Sequence, residues 1–135
     1  MGIKKAFPDK DVFAITGEGS IQMCIQELAT CKQYHLTPKI ILLNNRYLGM
    51  VRQWQELFHA RRYSFVELQN PDFITIAKGF GIEGHKVSDR AELSASLDTL
   101  LNSKTPYLLE IVCEKEGNVF PMVPAGGSVT NVRLE

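Results

Sequence analysis

Residues Val12–Val51 read VFAITGEGSIQMCIQELATCKQYHLTPKIILLNNRYLGMV, and the order of apolar and polar blocks in them decides the fold. A short apolar run, Val12–Thr16, of the kind buried on both faces of a parallel sheet, enters Gly17-Glu18-Gly19-Ser20. From Ser20 the apolar positions Ile21, Cys24, Ile25, Leu28 and Ala29 share one helical face. Leu36-Thr37-Pro38 ends that helix, and a second apolar run, Ile40–Leu43, stops at Asn44-Asn45. This pattern predicts a βαβ unit with a right-handed crossover. In open parallel sheets ligands bind beyond the carboxyl ends of the strands. Glu18, Ser20, Asn44 and Asn45 fall there.

Working outward, Ile3, Ala6 and Phe7 have helical spacing and are stopped by Pro8, so residues 1–11 read as the tail of a helix. After Asn45, Met50, Val51, Trp54, Leu57 and Phe58 form a helical stripe, which by itself predicts core packing. Arg61-Arg62-Tyr63-Ser64 opens a solvated loop. Asn70-Pro71-Asp72 predicts a helix start with Asn70 as the cap. That helix, Pro71–Phe80, buries Phe73, Ile76, Ala77 and Phe80 and is stopped by Gly81. Glu83–Val87 reads as a strand. Asp89 with Glu92 forms a capping box for a helix whose face is Leu93, Leu97, Leu100 and Leu101. Tyr107–Cys113 is a last strand, and 114–135 is an irregular tail, mobile at its end. Strands alternating with helices predict an α/β fold of three layers, a mostly parallel sheet with helices on both faces, over one domain, residues 1–135.

Composition narrows the function classes. A chain of 135 residues with 44% apolar content is large enough for a core. Zero net charge leaves no electrostatic footprint for nucleic acid or an anionic membrane. No apolar run approaches the roughly 20 residues of a membrane span, and the N-terminus lacks a secretory signal. Cys24, Cys31 and Cys113 form no CxxC pair, and free thiols fit the cytoplasm. Cys24 and Cys31 are expected on nearly the same helix face, as core or flank residues. His35, His59 and His85 show no ligand spacing and read as surface residues. Glu27 and Glu110 are acids without a catalytic setting, Glu110 at a sheet edge or in a local pair.

The chemistry centres on Gly17-Glu18-Gly19-Ser20. Paired glycines let a backbone turn sharply and approach a ligand closely. A carboxylate beside a bound phosphate needs a cation between them, and Mg²⁺ takes oxygen ligands and bridges protein groups to phosphates. Asn45 offers an amide oxygen from the adjacent strand. On chemistry alone, a plain glycine turn with an exposed Glu18 and a capping Ser20 is the favoured reading.

The joint pattern is more specific. Gly17-Glu18-Gly19, 24 residues, then Asn44-Asn45 resembles the thiamine diphosphate motif, which in that family begins GDG and ends NN. SIQMCIQELAT (Ser20–Thr30), LNNRYLGMVRQWQ (Leu43–Gln55), Arg62-Tyr63-Ser64, Pro71-Asp72-Phe73 and Val119-Phe120-Pro121-Met122 resemble the large catalytic subunit of acetolactate synthase, also called acetohydroxyacid synthase. The resemblance implies the flavodoxin-like thiamine diphosphate-binding domain, truncated on its N-terminal side. It implies Glu18, Asn45 and the Tyr47 carbonyl as Mg²⁺ ligands, and Gly17, Gly19, Ser20 and Met50 at thiamine diphosphate. Val51 and Trp54 would line the substrate pocket. FAD, bound by the family's middle domain, is not expected here.

What the resemblance implies for function is the cofactor-binding portion of an enzyme that condenses pyruvate with a second 2-oxoacid in branched-chain amino acid biosynthesis. The N-terminal and middle domains would come from elsewhere, in a homo-oligomer, and no catalytic residue is expected in this fragment. Two departures stand out. Glu18 replaces aspartate and carries the carboxylate about one carbon–carbon bond further out, and Cys24 replaces an asparagine. Both imply weakened metal binding. The isolated chain is therefore expected to be inactive, with the stripe around Trp54 exposed or covered by self-association. The alternative is a non-catalytic remnant serving as a structural or oligomerisation module.

Overall fold

The computed structural model describes residues 1–134; the last residue of the predicted tail, Glu135, lies outside them. Four strands form one parallel sheet: β1 (Phe13–Gly17), β2 (Lys39–Asn44), β3 (Glu83–Val87) and β4 (Tyr107–Val112). Their order is β1-β2-β4-β3. The two most apolar segments, β2 and β4, therefore lie at the centre, where a strand is covered on both faces. Leu42, Leu108 and Leu109 are almost inaccessible there. Burying a side chain of that size contributes about 1.5–3 kcal/mol.

Six helices accompany the sheet: α1 (Gly2–Ala6), α2 (Glu18–Met23), α3 (Glu27–Gln33), α4 (Gly49–Phe58), α5 (Phe73–Gly79) and α6 (Leu93–Asn102). Alternation along the strands splits the core in two. On one face Ile40, Leu42 and Leu108 pack against Ile21 of α2, Leu28 and Cys31 of α3, and Phe73 and Ala77 of α5. On the other, Tyr107, Leu109 and Val87 pack against Leu100 of α6, with Leu93 and Leu97 beside them. The predicted three-layer α/β architecture is thus the observed one.

Several local expectations need correction. The first strand is an edge, not a buried strand. Among the described residues β1 pairs only with β2, and Phe13 and Ile15 are 44% and 69% exposed. The helix after Ser20 is broken at Cys24–Gln26, where Glu27, Leu28 and Ala29 each donate to the carbonyl three residues back. That tightening moves Cys24 and Ala29 off the buried face, so Cys24 is exposed while Cys31 is buried.

The helix predicted from Asn70 is capped two residues later. Asp72 accepts from the Ile74 and Thr75 N–H groups, because its short carboxylate reaches the free donors of the first turn. Gly81 does stop it, in the left-handed region at φ +71°, donating to the Lys78 carbonyl. Asp89 caps a 3₁₀ turn, Arg90–Glu92, through the Ala91 N–H, and α6 begins only at Leu93. Leu101 is exposed. Glu110 stands on central strand β4, 1% exposed, not at an edge. The three histidines are exposed, as expected.

Helix α4 is turned inside out relative to its apolar stripe. Met50, Val51 and Phe58 are exposed, Trp54 and Leu57 are half-buried, and Arg52 and Gln53 are each 1% exposed. The cause lies in the tail. Residues 114–134 form no strand or helix, but they run across the polar side of α4 and pin it. The segment turns back on itself at an antiparallel bridge between Met122 and Arg133.

Candidate functional site

The carboxyl ends of β1 and β2 bring the two halves of the sequence motif together. Gly17 ends β1 and caps α2 in extended conformation, so the chain enters the helix at Glu18 with no intervening loop. Glu18 is 2% exposed. Its Oε1 accepts the Arg46 N–H at 2.5 Å and the Asn70 side-chain amide at 3.2 Å. The glutamate is long enough to cross from the end of β1 to the loop after β2. A charged acceptor makes that link stronger than a neutral one.

The loop after β2 is held tightly. Arg46 takes a left-handed conformation at φ +59°. The Asn45 Oδ1 accepts the Tyr47 N–H at 3.0 Å, a local turn in which the side chain replaces a backbone acceptor. The Leu48 N–H donates to Val66 and the Leu68 N–H to Arg46, which lays residues 66–68 alongside. Gly19 permits the close approach of α2. A Cβ there would lie 2.8 Å from the Leu48 Cδ2.

Behind this surface lies a buried polar network that the sequence reading missed. Asn44 donates to the Glu110 Oε1 at 2.6 Å, and Lys86 reaches the same oxygen at 3.0 Å. The Asn44 Oδ1 accepts from the Arg46 N–H and the Asn70 amide, both at 3.2 Å. Asn70 thus joins Glu18 to Asn44 instead of capping a helix. Both oxygens facing its amide can only accept, so Nδ2 must point at them. The Asn70 Oδ1 is left buried without a partner. The one legible signal was Glu110, an acid inside the apolar run YLLEIV.

Other predicted site residues are placed as follows. Ser20 is exposed in α2, and Tyr47 and Asn45 are half-buried. Met50, Val51 and Trp54 lie on α4, which starts at Gly49 against the Asn45 side chain. Trp54 stacks on Phe58 at 4.8 Å between ring centroids. Cys113, just beyond β4, donates its N–H to the Asn44 carbonyl. Burial, and after it the Glu18 charge, pushes its thiol above the usual range.

Among the described residues no trio of His, Cys, Asp or Glu side chains could hold a metal. A cation here would rely on oxygen: the Glu18 carboxylate, the Asn45 amide and the Tyr47 carbonyl. That donor set is hard and suits Mg²⁺ over a thiophilic metal. The unpartnered Asn70 oxygen beside Glu18 is a further acceptor with no donor. The residues present therefore fit the ion by chemistry, with one Glu18 oxygen already committed to Arg46.

Comparison with known proteins identifies the family of the chain. Residues 1–111 match the model of the thiamine pyrophosphate enzyme, C-terminal TPP binding domain. The chain is similar to the acetolactate synthase isozyme 2 large subunit of Escherichia coli, 47% identical over 129 residues, covering 95% of this chain and 24% of that protein. It is 40% identical over 133 residues to a probable acetolactate synthase large subunit of Methanocaldococcus jannaschii, covering 98% and 22%. A thiamine diphosphate-dependent 4-hydroxybenzoylformate decarboxylase from Rhodococcus jostii superposes with a TM-score of 0.78 at 26% identity, covering 84% of this chain and 21% of that one. The chain thus spans about a quarter or less of the length of these relatives.

Proposed function

We propose, from the premise that the chain belongs to the family of thiamine pyrophosphate enzymes as their C-terminal TPP-binding domain, that it is the cofactor-anchoring part of an acetolactate synthase. The observation that carries this reading is that parallel strands β1 and β2 end side by side at Gly17 and Asn44, which brings the GEG turn and the NN loop together at the mouth of the sheet. A site assembled from those two loops can hold a metal ion and the diphosphate it bridges.

In this reading Glu18, Asn45 and the Tyr47 carbonyl hold Mg²⁺. Gly17, Gly19 and Ser20 receive the diphosphate, and Met50 packs against the cofactor. Val51 and Trp54 form one wall for the 2-oxoacids. When bound, thiamine diphosphate supplies the electron sink for decarboxylation and carbon–carbon bond formation. The chain's own residues only bind, orient and shape. The parent reaction is the condensation of pyruvate with a second 2-oxoacid in branched-chain amino acid biosynthesis. The N-terminal and middle domains, from a separate stretch or chain, complete the site in a cytoplasmic homo-oligomer, and FAD binds outside this chain. The isolated chain has no turnover.

A second reading, a structural module without catalysis, is favoured by one observation: Glu18 spends its carboxylate on the Arg46 N–H instead of leaving it free for a cation. Calorimetric titration with thiamine diphosphate, with Mg²⁺ and then with EDTA, separates the two. Cofactor anchoring predicts weak, saturable, Mg²⁺-dependent binding by the chain, tightened when a chain carrying the N-terminal and middle domains is added. Absence of binding under both conditions overturns it in favour of the structural module.

A further inference from the structure

We propose that Ser64 is a phosphorylation site, modified from ATP by a serine kinase that recognises arginine. The loop after α4 reads Arg61-Arg62-Tyr63-Ser64-Phe65 and holds the only adjacent arginines in the chain. Two guanidiniums stand three and two residues ahead of a hydroxyl, and an apolar ring follows it directly. Kinases select substrates by such charge patterns. Carboxylates in a peptide groove pair with the guanidinium forks, and an aromatic anchor fixes the register beyond the hydroxyl. Phosphoryl transfer then depends mainly on positioning.

The fold presents this segment to a partner. Every residue from 59 to 65 is exposed, and Phe65 is 98% exposed, so its ring adds nothing to the core. Ala60, Arg61 and Phe65 sit in the left-handed region at φ +53°, +57° and +53°. Side chains larger than glycine disfavour that region, so extending the loop in a groove relieves it. The ties that must open are few and exposed. Gln55 donates to the Ser64 carbonyl at 3.1 Å and accepts the Ser64 N–H at 2.8 Å, and the Tyr63 hydroxyl reaches Glu56 at 3.4 Å. The Ser64 hydroxyl takes no part in these bonds.

In the step itself the Ser64 Oγ bonds to the γ-phosphorus of ATP while the bond from that phosphorus to its bridging oxygen breaks. ADP leaves, and the hydroxyl proton passes to a carboxylate of the kinase. The product sets a phosphate of about −1.5 to −2 charge beside two guanidiniums. Arg61 is held only by Glu56, at 3.8 Å, with its side chain 76% exposed, so it is available to the new anion. The site uses no residue of the GEG and NN loops and stands or falls independently of the function proposed above.

The test incubates the folded full chain with magnesium ATP, labelled in its γ-phosphate, and the catalytic subunit of cAMP-dependent protein kinase, an arginine-directed enzyme. The expected result is incorporation approaching about one phosphate per chain, placed on Ser64 by fragment mass spectrometry and abolished by Ser64→Ala. A variant combining Arg61→Ala and Arg62→Ala should lose roughly tenfold or more in kcat/KM as a substrate, through loss of both charges. Both arginines are exposed, so an unchanged melting temperature verifies that this variant is folded. Absence of label at Ser64, label that appears only after unfolding in urea, or a double variant labelled as fast as the parent would each overturn the proposal.

Discussion

The Gln53 side chain grips the Val119 backbone from both sides. Its Nε2 donates to the Val119 carbonyl at 3.0 Å, and its Oε1 accepts the Val119 N–H at 2.7 Å. A single buried amide on α4 thus does for the tail what a neighbouring strand does for an edge. Beside it Arg52 donates to the Glu116 carbonyl and to Asn118. These two residues explain why the polar face of α4 is buried and its apolar face is outside.

Replacing Gln53 with alanine should therefore release the tail while leaving the sheet intact. Three hydrogen bonds are lost, two with Val119 and a weaker one to the Met122 sulfur, and the exposed Val119 backbone can turn to water, so the expected cost is about 1–2 kcal/mol. Limited proteolysis should cut 114–134 faster, with little change in far-UV circular dichroism. Equal proteolysis of the variant and the parent chain would show that the clamp does not hold the tail.

Acid should loosen the same contact. Burial pushes the Glu56 carboxyl up, but hydrogen bonding and charge from Arg52, helped by Asn118 and Arg61, outweigh it and hold the group below the ordinary glutamate range. A carboxyl with a lowered folded pKa stabilises the folded form above its unfolded pKa, about 4.3. That stabilisation disappears as pH falls through the lower folded value. Emission from Trp54, which stacks on Phe58 under the Arg133 guanidinium, should stay constant from neutral pH to about 5 and shift below about 4. Glu56→Gln should remove that acid limb; its persistence would assign the transition to another group.

Much of this was legible because it is written in local patterns. Ile40–Leu43 and Tyr107–Cys113 read as strands from their apolar runs, and Gly81 reads as a helix stop. What escaped was set by distant partners. β1 has the composition of a buried strand, yet exposure depends on what lies beside it. The stripe on α4 reads as core until the tail supplies hydrogen bonds for Arg52 and Gln53. Asn70 looked like a cap because its neighbours are helical, whereas its amide is drawn to Glu18 and Asn44 across 52 and 26 residues of sequence. The GEG and NN words located the mouth of the sheet but gave no sign of the Asn44–Glu110–Lys86 layer behind it.

Two glycines separate a tolerant position from an intolerant one. A Cβ on Gly84 in β3 would lie 2.6 Å from the backbone oxygen of Leu108, with Ile74 a further 3.3 Å neighbour. The oxygen belongs to the central strand and cannot yield. A Cβ on Gly19 would meet only the end of the Leu48 side chain, which can rotate. Gly84→Ala should cost about 1–3 kcal/mol or more, the range for overpacking, and Gly19→Ala distinctly less. Urea midpoints compared at a common slope decide it. A reversed ranking would mean that β3 can shift relative to β4.

Glu18→Asp should move stability and metal binding in opposite directions. In the parent chain the carboxylate spans the gap to the Arg46 N–H. A side chain one bond shorter, by about 1.5 Å, cannot reach it. The Arg46 N–H keeps the Asn44 Oδ1 as a second acceptor at 3.2 Å, and the Asn70 amide does the same. The loss should therefore sit at the lower end for a charged hydrogen bond, about 1.5 kcal/mol. The same shortening frees both carboxylate oxygens at the mouth of the sheet, where Mg²⁺ requires ligands at about 2.0–2.1 Å. Under the proposed function, the variant should melt at a lower urea concentration and bind thiamine diphosphate with Mg²⁺ more tightly than the parent. Loss of stability without any gain in binding would mean that Glu18 is a structural strut between two loops and that the metal, if held at all, is held by other oxygens.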